Sequence, residues 1–398
     1  MHSLTTSLGL LVCLCISAPT QAAGKDALGA AVLQQLLRLQ DINGTVDREM
    51  DRVYIANPQA PKNVFPCRLL SPSPTSPTSV HRLRPGDISV VAALGDSLTT
   101  ARGASRGILA LLLDYVGRSW SIGGDGTYSE LVTIPNILRN YNPSVYGYSE
   151  GVGEGKKRFN VAETGAKSSD AVGQAETLVR LMREVKDVDF NNSWKLVTVF
   201  IGGNDLCDYC QDENAYSAAT YASNLRATLD YLQAHLPRTF VNLVELLPLE
   251  AVRHLGDNLL CQGIQRFICN CVVNPSSEEE ARRAVRLREA YQKATQDLVA
   301  SGRYDTRDDF TVVLQPFYRN AKLPSTPSGK VDFSYFASDC FHYSEKGQQS
   351  VAGALWTNMV EAVGSKHTAW TPGQALKCPT EEHPYLYTAK NSNTTGNN

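Results

Sequence analysis

Four short apolar runs, at 88–94, 196–201, 240–246 and 310–314, constrain the fold of this chain more than any other feature. Each is rich in Val, Ile, Leu or Phe and has the length and composition of a strand buried on both faces. Between and after them, apolar residues recur at helical spacing over 175–185, 218–235, 278–300 and 345–363. Glu278, Glu279 and Glu280 lie where the positive dipole end of the third of these helices is expected. Buried strands alternating with helices imply an α/β fold, with a parallel sheet covered on both faces. Ligands of such sheets sit beyond the carboxyl ends of the strands, so chemistry is expected in the turns that follow the runs.

The flanks of this core have another character. The apolar stretch 8–18 is too short to span a bilayer and ends in Pro19, Thr20, Gln21, Ala22 and Ala23, which predicts a signal peptide over residues 1–23; a buried N-terminal helix is the other reading. A Leu-rich helical pattern at 27–42 and a Pro/Ser-rich stretch at 72–79, read as a flexible connector, complete an N-terminal segment over 24–80. The main domain is expected over 81–366 and a C-terminal tail over 367–398. No later segment reaches transmembrane length, and the polar stretch 391–398 is unlike a GPI signal. A secreted, extracellular chain without a transmembrane anchor is therefore expected. The formal net charge of -2 gives no reason to expect nucleic acid as a partner.

The cysteines fit that compartment. With Cys13 and Cys15 assigned to the signal, Cys67, Cys207, Cys210, Cys261, Cys269, Cys271, Cys340 and Cys378 form an even set able to make four disulfides, with the pairing left open. Cys207 and Cys210 have the spacing of a zinc or redox pair, yet no second such pair or His-rich cluster completes a metal set. Neither metal nor cofactor is expected. Asn43, Asn191 and Asn393 head glycosylation sequons.

Gly95-Asp96-Ser97-Leu98 follows the first run and leads into a segment able to open a helix. A serine at such a strand-to-helix turn has an exposed hydroxyl beside orphan amide donors, although Asp96 and Ser97 are also common helix caps. Gly202-Gly203-Asn204-Asp205 follows the second run in the same way, so both turns emerge on one sheet edge and Ser97 and Asn204 can face one cleft. Asn204 offers an amide for an oxyanion; the competing reading is a self-satisfied Gly-Gly-Asn turn. A serine nucleophile needs a base. Of the 7 histidines, only His342 has an Asp three residues earlier, and Asp339 within one turn can fix the imidazole tautomer and leave the other nitrogen for Ser97. Otherwise His342 is a surface histidine with an accidental acidic neighbour. Ser344 before Glu345 suggests a helix start, which leaves Asp339 and His342 on the preceding loop.

Gly-x-Ser-x-Gly is absent, since Ser97 continues as Leu98-Thr99, which disfavours an ordinary α/β-hydrolase elbow. The chain instead resembles the SGNH, or GDSL, hydrolase family, and within it the phospholipase B branch, over about 63–363. The resemblance is carried by Ala92-Ala93-Leu94-Gly95-Asp96-Ser97-Leu98-Thr99, by the stretch 119–127, by Thr198-Val199-Phe200-Ile201-Gly202-Gly203-Asn204-Asp205-Leu206-Cys207 and by Asp339-Cys340-Phe341-His342. It implies a flavodoxin-like α/β/α sandwich with a central parallel sheet. It also implies Ser97 as nucleophile, Gly165 as the oxyanion glycine of the second block, Asn204 as the oxyanion amide, and Asp339 and His342 as the other triad members. The vertebrate members of the branch resemble tandem repeats with a membrane anchor, whereas this chain carries one such unit.

The implied substrates are acyl esters of phospholipids and lysophospholipids, met in transient contact with lipid aggregates or a membrane surface, and cleaved through an acyl-enzyme with the oxyanion held by Ser97, Gly165 and Asn204. A carbohydrate acetyl esterase would use the same residues over a small polar pocket. A non-catalytic lipid-binding protein on the same scaffold is the reading from another functional class.

Overall fold

In the computed structural model, which describes residues 62–105, 107–255 and 259–392, four parallel strands form one sheet in sequential order. These are β1 (Ile88–Gly95), β2 (Trp194–Phe200), β3 (Thr239–Val244) and β4 (Phe310–Gln315), so each apolar run became a strand with its ends shifted by no more than two residues. Every residue of β2 and β3 is buried, as expected for strands covered on both faces. The polar residues in and after the third run have partners. Asn242 accepts from Gln315 Nε2 at 2.7 Å, and Glu245 makes a two-pronged pair with Arg319 at 2.9 Å per contact. Beyond β1, the amides of Val91 and Ala93 donate to Tyr146 and Phe159, so two broken segments occupy that edge.

The helices are α1 (Ile134–Tyr141), α2 (Ala171–Glu184), α3 (Gly203–Asp208), α4 (Ala218–His235), α5 (Leu259–Val273), α6 (Glu278–Ala300), α7 (Glu345–Met359) and α8 (Ala389–Ser392). α2 packs on α4 and α4 on α6, while α7 packs against α1 and β4. Ser217, Ser277 and Ser344 cap α4, α6 and α7 by accepting the N–H three residues on. The expected helix over 345–363 stops at Met359, because the Lys366 ammonium folds back onto the carbonyls of Asn358 and Glu361. Four helices escaped the periodicity, of which α3 and α8 are only 6 and 4 residues long. α1 is only 8 residues long, and α5 is kinked where Cys269 leaves helical geometry (φ -148°, ψ 47°).

Among the described residues, four disulfides join Cys67 to Cys378, Cys207 to Cys269, Cys210 to Cys271 and Cys261 to Cys340. Cys207 and Cys210 thus enter separate disulfides and leave no thiolate for zinc. The bonds to Cys269 and Cys271 tie α3 and the turn after it to α5, and Cys261 ties α5 to the loop that carries Asp339 and His342.

The stretch expected as a flexible connector is held in place. Ser73 bonds Asp87 through both N and Oγ at 2.8 Å, and Trp194 Nε1 donates to Pro77 O at 3.1 Å. The expected tail returns to the domain, with the Leu386 amide on Leu83 O at 2.8 Å and Trp370 buried. The expected signal peptide over 1–23, the helical pattern at 27–42, Asn43 and Asn393 lie outside the described residues. Asn191 is exposed on the loop before β2. Among the described residues no helix is long and apolar enough to cross a membrane. Most buried apolar side chains form one core, but Ala101, Ala104, Ala110 and Tyr115 form a small separate cluster.

Candidate active site

The strand register brings the two glycine-rich turns together. Gly95 pairs with Phe200 across β1 and β2, so the residues after each leave the sheet side by side. A Cβ on Gly95 would lie 2.5 Å from Thr99 Oγ1 and 2.6 Å from Phe200 O, a separation real side chains do not reach, so only glycine fits there. Its peptide is also gripped by Gln174, whose amide accepts from Gly95 N at 2.8 Å and donates to Gly95 O at 2.9 Å.

The segment after β1 forms a single turn, not the helix expected from sequence. The Thr100 amide donates to Asp96 O at 3.0 Å, and the chain is then arrested by Ala101 in left-handed geometry (φ 56°), with the Arg102 amide reaching back to Ser97 O at 3.0 Å. This 6→1 closure is how many helices end, here after one turn. The capping role falls to Asp96, whose Oδ1 accepts from Leu98 N at 3.0 Å. Ser97 Oγ faces elsewhere. It lies 2.8 Å from His342 Nε2, 245 residues away in the chain.

His342 Nδ1 in turn lies 2.6 Å from Asp339 Oδ2. A carboxylate only accepts, so the ring proton is held on Nδ1 and Nε2 is the acceptor that faces the serine. Asp339 Oδ1 also accepts from Phe341 N at 3.0 Å and His342 N at 2.9 Å. Burial alone would raise the Asp339 pKa, but the His342 ring and these hydrogen bonds outweigh it and hold the carboxyl below its ordinary range. The loop is fixed from outside by two groups, a disulfide whose pairing the sequence left open and a glutamine it did not single out. Cys340 is bonded to Cys261 on α5, and the buried amide of Gln265, one turn further along α5, donates to Cys340 O at 2.7 Å. The pairing of Cys340 with any particular cysteine had no local signal, and a lone Gln on a helix has none either.

The oxyanion candidates converge on the same edge. Asn204 Nδ2 donates one hydrogen to Ala166 O at 2.9 Å, which orients the amide and leaves its second hydrogen for a ligand. Gly165 has φ 87°, a conformation that favours glycine, and it is exposed. Among the described residues, no acceptor receives the backbone N–H of Ser97 or of Gly165. The Gly165 loop is bound to the Asn204 turn by Asp205, which accepts from Ser168 N at 2.8 Å and Ser168 Oγ at 2.5 Å. Ser97, Gly165, Asn204, Asp339 and His342 therefore belong to one assembly. The stretch 119–127 supports it from below, where Trp120 is fully buried and its indole N–H donates to Leu98 O at 3.1 Å.

Asp96 is the electrostatic cost of this arrangement. Burial pushes its carboxyl from 3.8 up to about 6, against the opposing influence of the Leu98 amide and the His342 ring. A raised carboxyl pKa means that the folded state holds the proton more tightly, so its contribution to stability falls as the pH rises from 3.8 to about 6. Asp96→Asn should therefore raise the melting temperature at pH 7 relative to the unsubstituted protein, by about 3 °C, and do so less at pH 4. Calorimetry at the two pH values checks this, and an equal shift at both would contradict it.

The family model for GDSL-like lipases/acylhydrolases matches residues 91–355. The membrane-associated phospholipase B1 of Mus musculus is 44% identical over 341 residues, covering 83% of this chain and 23% of that protein. The Homo sapiens phospholipase B1 is 43% identical over 356 residues, covering 86% of this chain and 24% of that protein. The chain thus spans about a quarter of the length of the curated relatives it matches. Among solved structures, the psychrotrophic esterase EstA from Pseudoalteromonas sp. aligns over 66% of this chain and 92% of that one, with 12% identity and a TM-score of 0.32.

Proposed function

The chain belongs to the GDSL-like lipase/acylhydrolase family, and from that premise we propose that it is a carboxylic ester hydrolase, a secreted esterase cleaving acyl esters of phospholipids and lysophospholipids through a Ser97-His342-Asp339 triad. The single observation that carries the mechanism is the continuous chain of contacts from Asp339 Oδ2 through both ring nitrogens of His342 to Ser97 Oγ. The four disulfides support an oxidising, extracellular compartment. The similarity to phospholipase B1 supports the substrate class.

Catalysis then runs in two halves. Nε2 of His342 takes the Ser97 proton as Oγ attacks the ester carbonyl, and Asp339 stabilises the resulting imidazolium. The carbonyl oxygen, now an oxyanion, is met by the second N–H of Asn204 and the backbone amides of Ser97 and Gly165. Collapse expels the alcohol, which receives the proton from His342 and leaves an acyl-enzyme on Ser97. Water, deprotonated by His342, attacks that acyl group and the fatty acid departs. The negative charge on the carbonyl oxygen thus meets N–H donors and the positive charge on His342 meets a carboxylate, which is the main electrostatic requirement for acyl transfer.

Asn204→Ala removes one oxyanion donor and should lower kcat by about two to three powers of ten with little change in KM. Steady-state kinetics on a chromogenic ester measure it, and a kcat within about threefold of the unsubstituted enzyme would remove Asn204 from the oxyanion hole. The function as a whole is tested by a panel of phosphatidylcholine, lysophosphatidylcholine, triglyceride and acetylated sugar, with Ser97→Ala as blank. Fatty acid released from both phospholipids is expected. Acetate released from the sugar with no fatty acid from either phospholipid would overturn the substrate class.

A further inference from the structure

The loop between Arg102 and Asp114 closes on itself at a narrow neck. Gly103 N donates to Leu113 O at 3.0 Å and Tyr115 N to Ala101 O at 3.3 Å, with Arg102 and Asp114 bridged antiparallel between them. The neck is built into the active site. Arg102 N donates to Ser97 O at 3.0 Å, and Asp114 Oδ1 accepts from Thr100 Oγ1 and from Thr164 Oγ1, each at 2.9 Å. Thr164 precedes Gly165, so one carboxylate joins the nucleophile turn, the oxyanion loop and the base of this excursion.

Its far part reads Ile108-Leu109-Ala110-Leu111-Leu112-Leu113, an apolar run in a surface loop where polar residues are the norm. These leucines do not enter the main core. Ala110 and Leu113 join the small cluster with Ala101, Ala104 and Tyr115, which stays separate from it. Leu111 and Leu112 are half-buried, and Leu109 is 48% exposed. Leu111 also reaches Gly103 and, past it, the neighbourhood of Ala337, whose amide donates to His342 O at 2.8 Å. An apolar surface therefore adjoins both the nucleophile turn and the loop that carries the base. The described fold leaves Leu109 exposed at its tip, with Leu111 and Leu112 half-buried beside it, and exposed apolar surface of this kind marks a contact with a partner.

We propose that this loop is the surface by which the enzyme docks onto a zwitterionic phospholipid aggregate, with Leu109 and Leu112 entering the acyl region while Ser97 meets the ester at the boundary. The proposal rests on the phospholipid reading above. The net charge of -2 gives an anionic membrane no general attraction for the chain, so the docking free energy comes from apolar contact and a neutral surface suffices. Proximity to Ser97 fits the chemistry, because the scissile ester of an aggregated phospholipid lies just below the headgroups.

Two measurements test it. The first is sedimentation of full-length Ser97→Ala protein with phosphatidylcholine vesicles, with and without Leu109→Ser and Leu112→Ser; it needs no turnover. The substituted loop should lower vesicle partition about tenfold. The second is hydrolysis of a monomeric, water-soluble short-chain ester by protein carrying only the two loop substitutions, which should stay within about twofold of the unsubstituted enzyme. Leu109→Trp guards against a folding artefact, since its emission should shift to the blue when vesicles are added. Unchanged partition, or no shift, would overturn the proposal. An equal loss on the monomeric ester would make the loop a wall of the acyl pocket instead, and conversion of a dimer to monomer on substitution would make it a self-association surface. Loop-dependent partition without phospholipid hydrolysis would remove the substrate reading and leave the docking surface standing.

Discussion

Replacing Ser97 with alanine should lower kcat about a millionfold, to the level left by binding and the oxyanion donors alone. The substitution deletes one oxygen from a buried position, and that oxygen lies 2.8 Å from His342 Nε2. The turn itself should survive, because it is held by Asp96, Leu98, Thr100 and Arg102 through contacts that do not involve the Ser97 hydroxyl. A melting curve close to that of the unsubstituted protein should therefore accompany the loss of turnover. Activity within tenfold of the original, in a preparation free of other esterases, would contradict the assignment of the nucleophile.

Asp339→Asn should have the next largest effect, at about 10⁴-fold in kcat. An asparagine can keep its carbonyl on the amides of Phe341 and His342, where Asp339 Oδ1 now accepts at 3.0 and 2.9 Å. Its N–H₂ then faces the imidazole Nδ1 and donates to it, which moves the ring proton to Nε2 and turns the base away from its task. The stability consequence has a definite sign. A carboxyl held below its ordinary 3.8 stabilises the fold above that pH, and the contribution is lost as the pH falls through the lowered value. The Asp339→Asn protein should lack this part of the acid sensitivity. Kinetics at pH 8 and unfolding curves between pH 7 and 3 check both halves.

The sheet was legible in the sequence because buried parallel strands need nearly unbroken apolar runs, and four such runs occur at 88–94, 196–201, 240–246 and 310–314. Ser97, Asn204, Asp339 and His342 could be singled out for a related reason, since they lie directly after two of those runs or within one turn of each other, whereas Gly165 was reached only through the family resemblance. What escaped are features set by long-range contacts. The turn at Ser97 stops after one turn because Ala101 adopts a left-handed conformation, and nothing in its identity announces that. The cysteine count was plain, but the partner of Cys340 depends on α5, a kinked helix that periodicity does not detect. Gln174 and Gln265 act through peptide groups they meet in space, Gly95 for the first and Val252 and Cys340 for the second, and from sequence alone each is one more polar residue on a helix. The Leu109 to Leu113 run is conspicuous in sequence, yet it resembles core until its separation from the main core is seen.

The most direct test of the triad is to treat the folded protein with a fluorophosphonate ester and map the adduct by mass spectrometry. An activated serine displaces fluoride and forms a stable phosphonyl ester, while an ordinary hydroxyl does not react. The expected result is a single adduct on Ser97, absent from Ser97→Ala and formed far more slowly by Asp339→Asn. An adduct on another serine, or equal labelling of the Ser97→Ala protein, would contradict the triad.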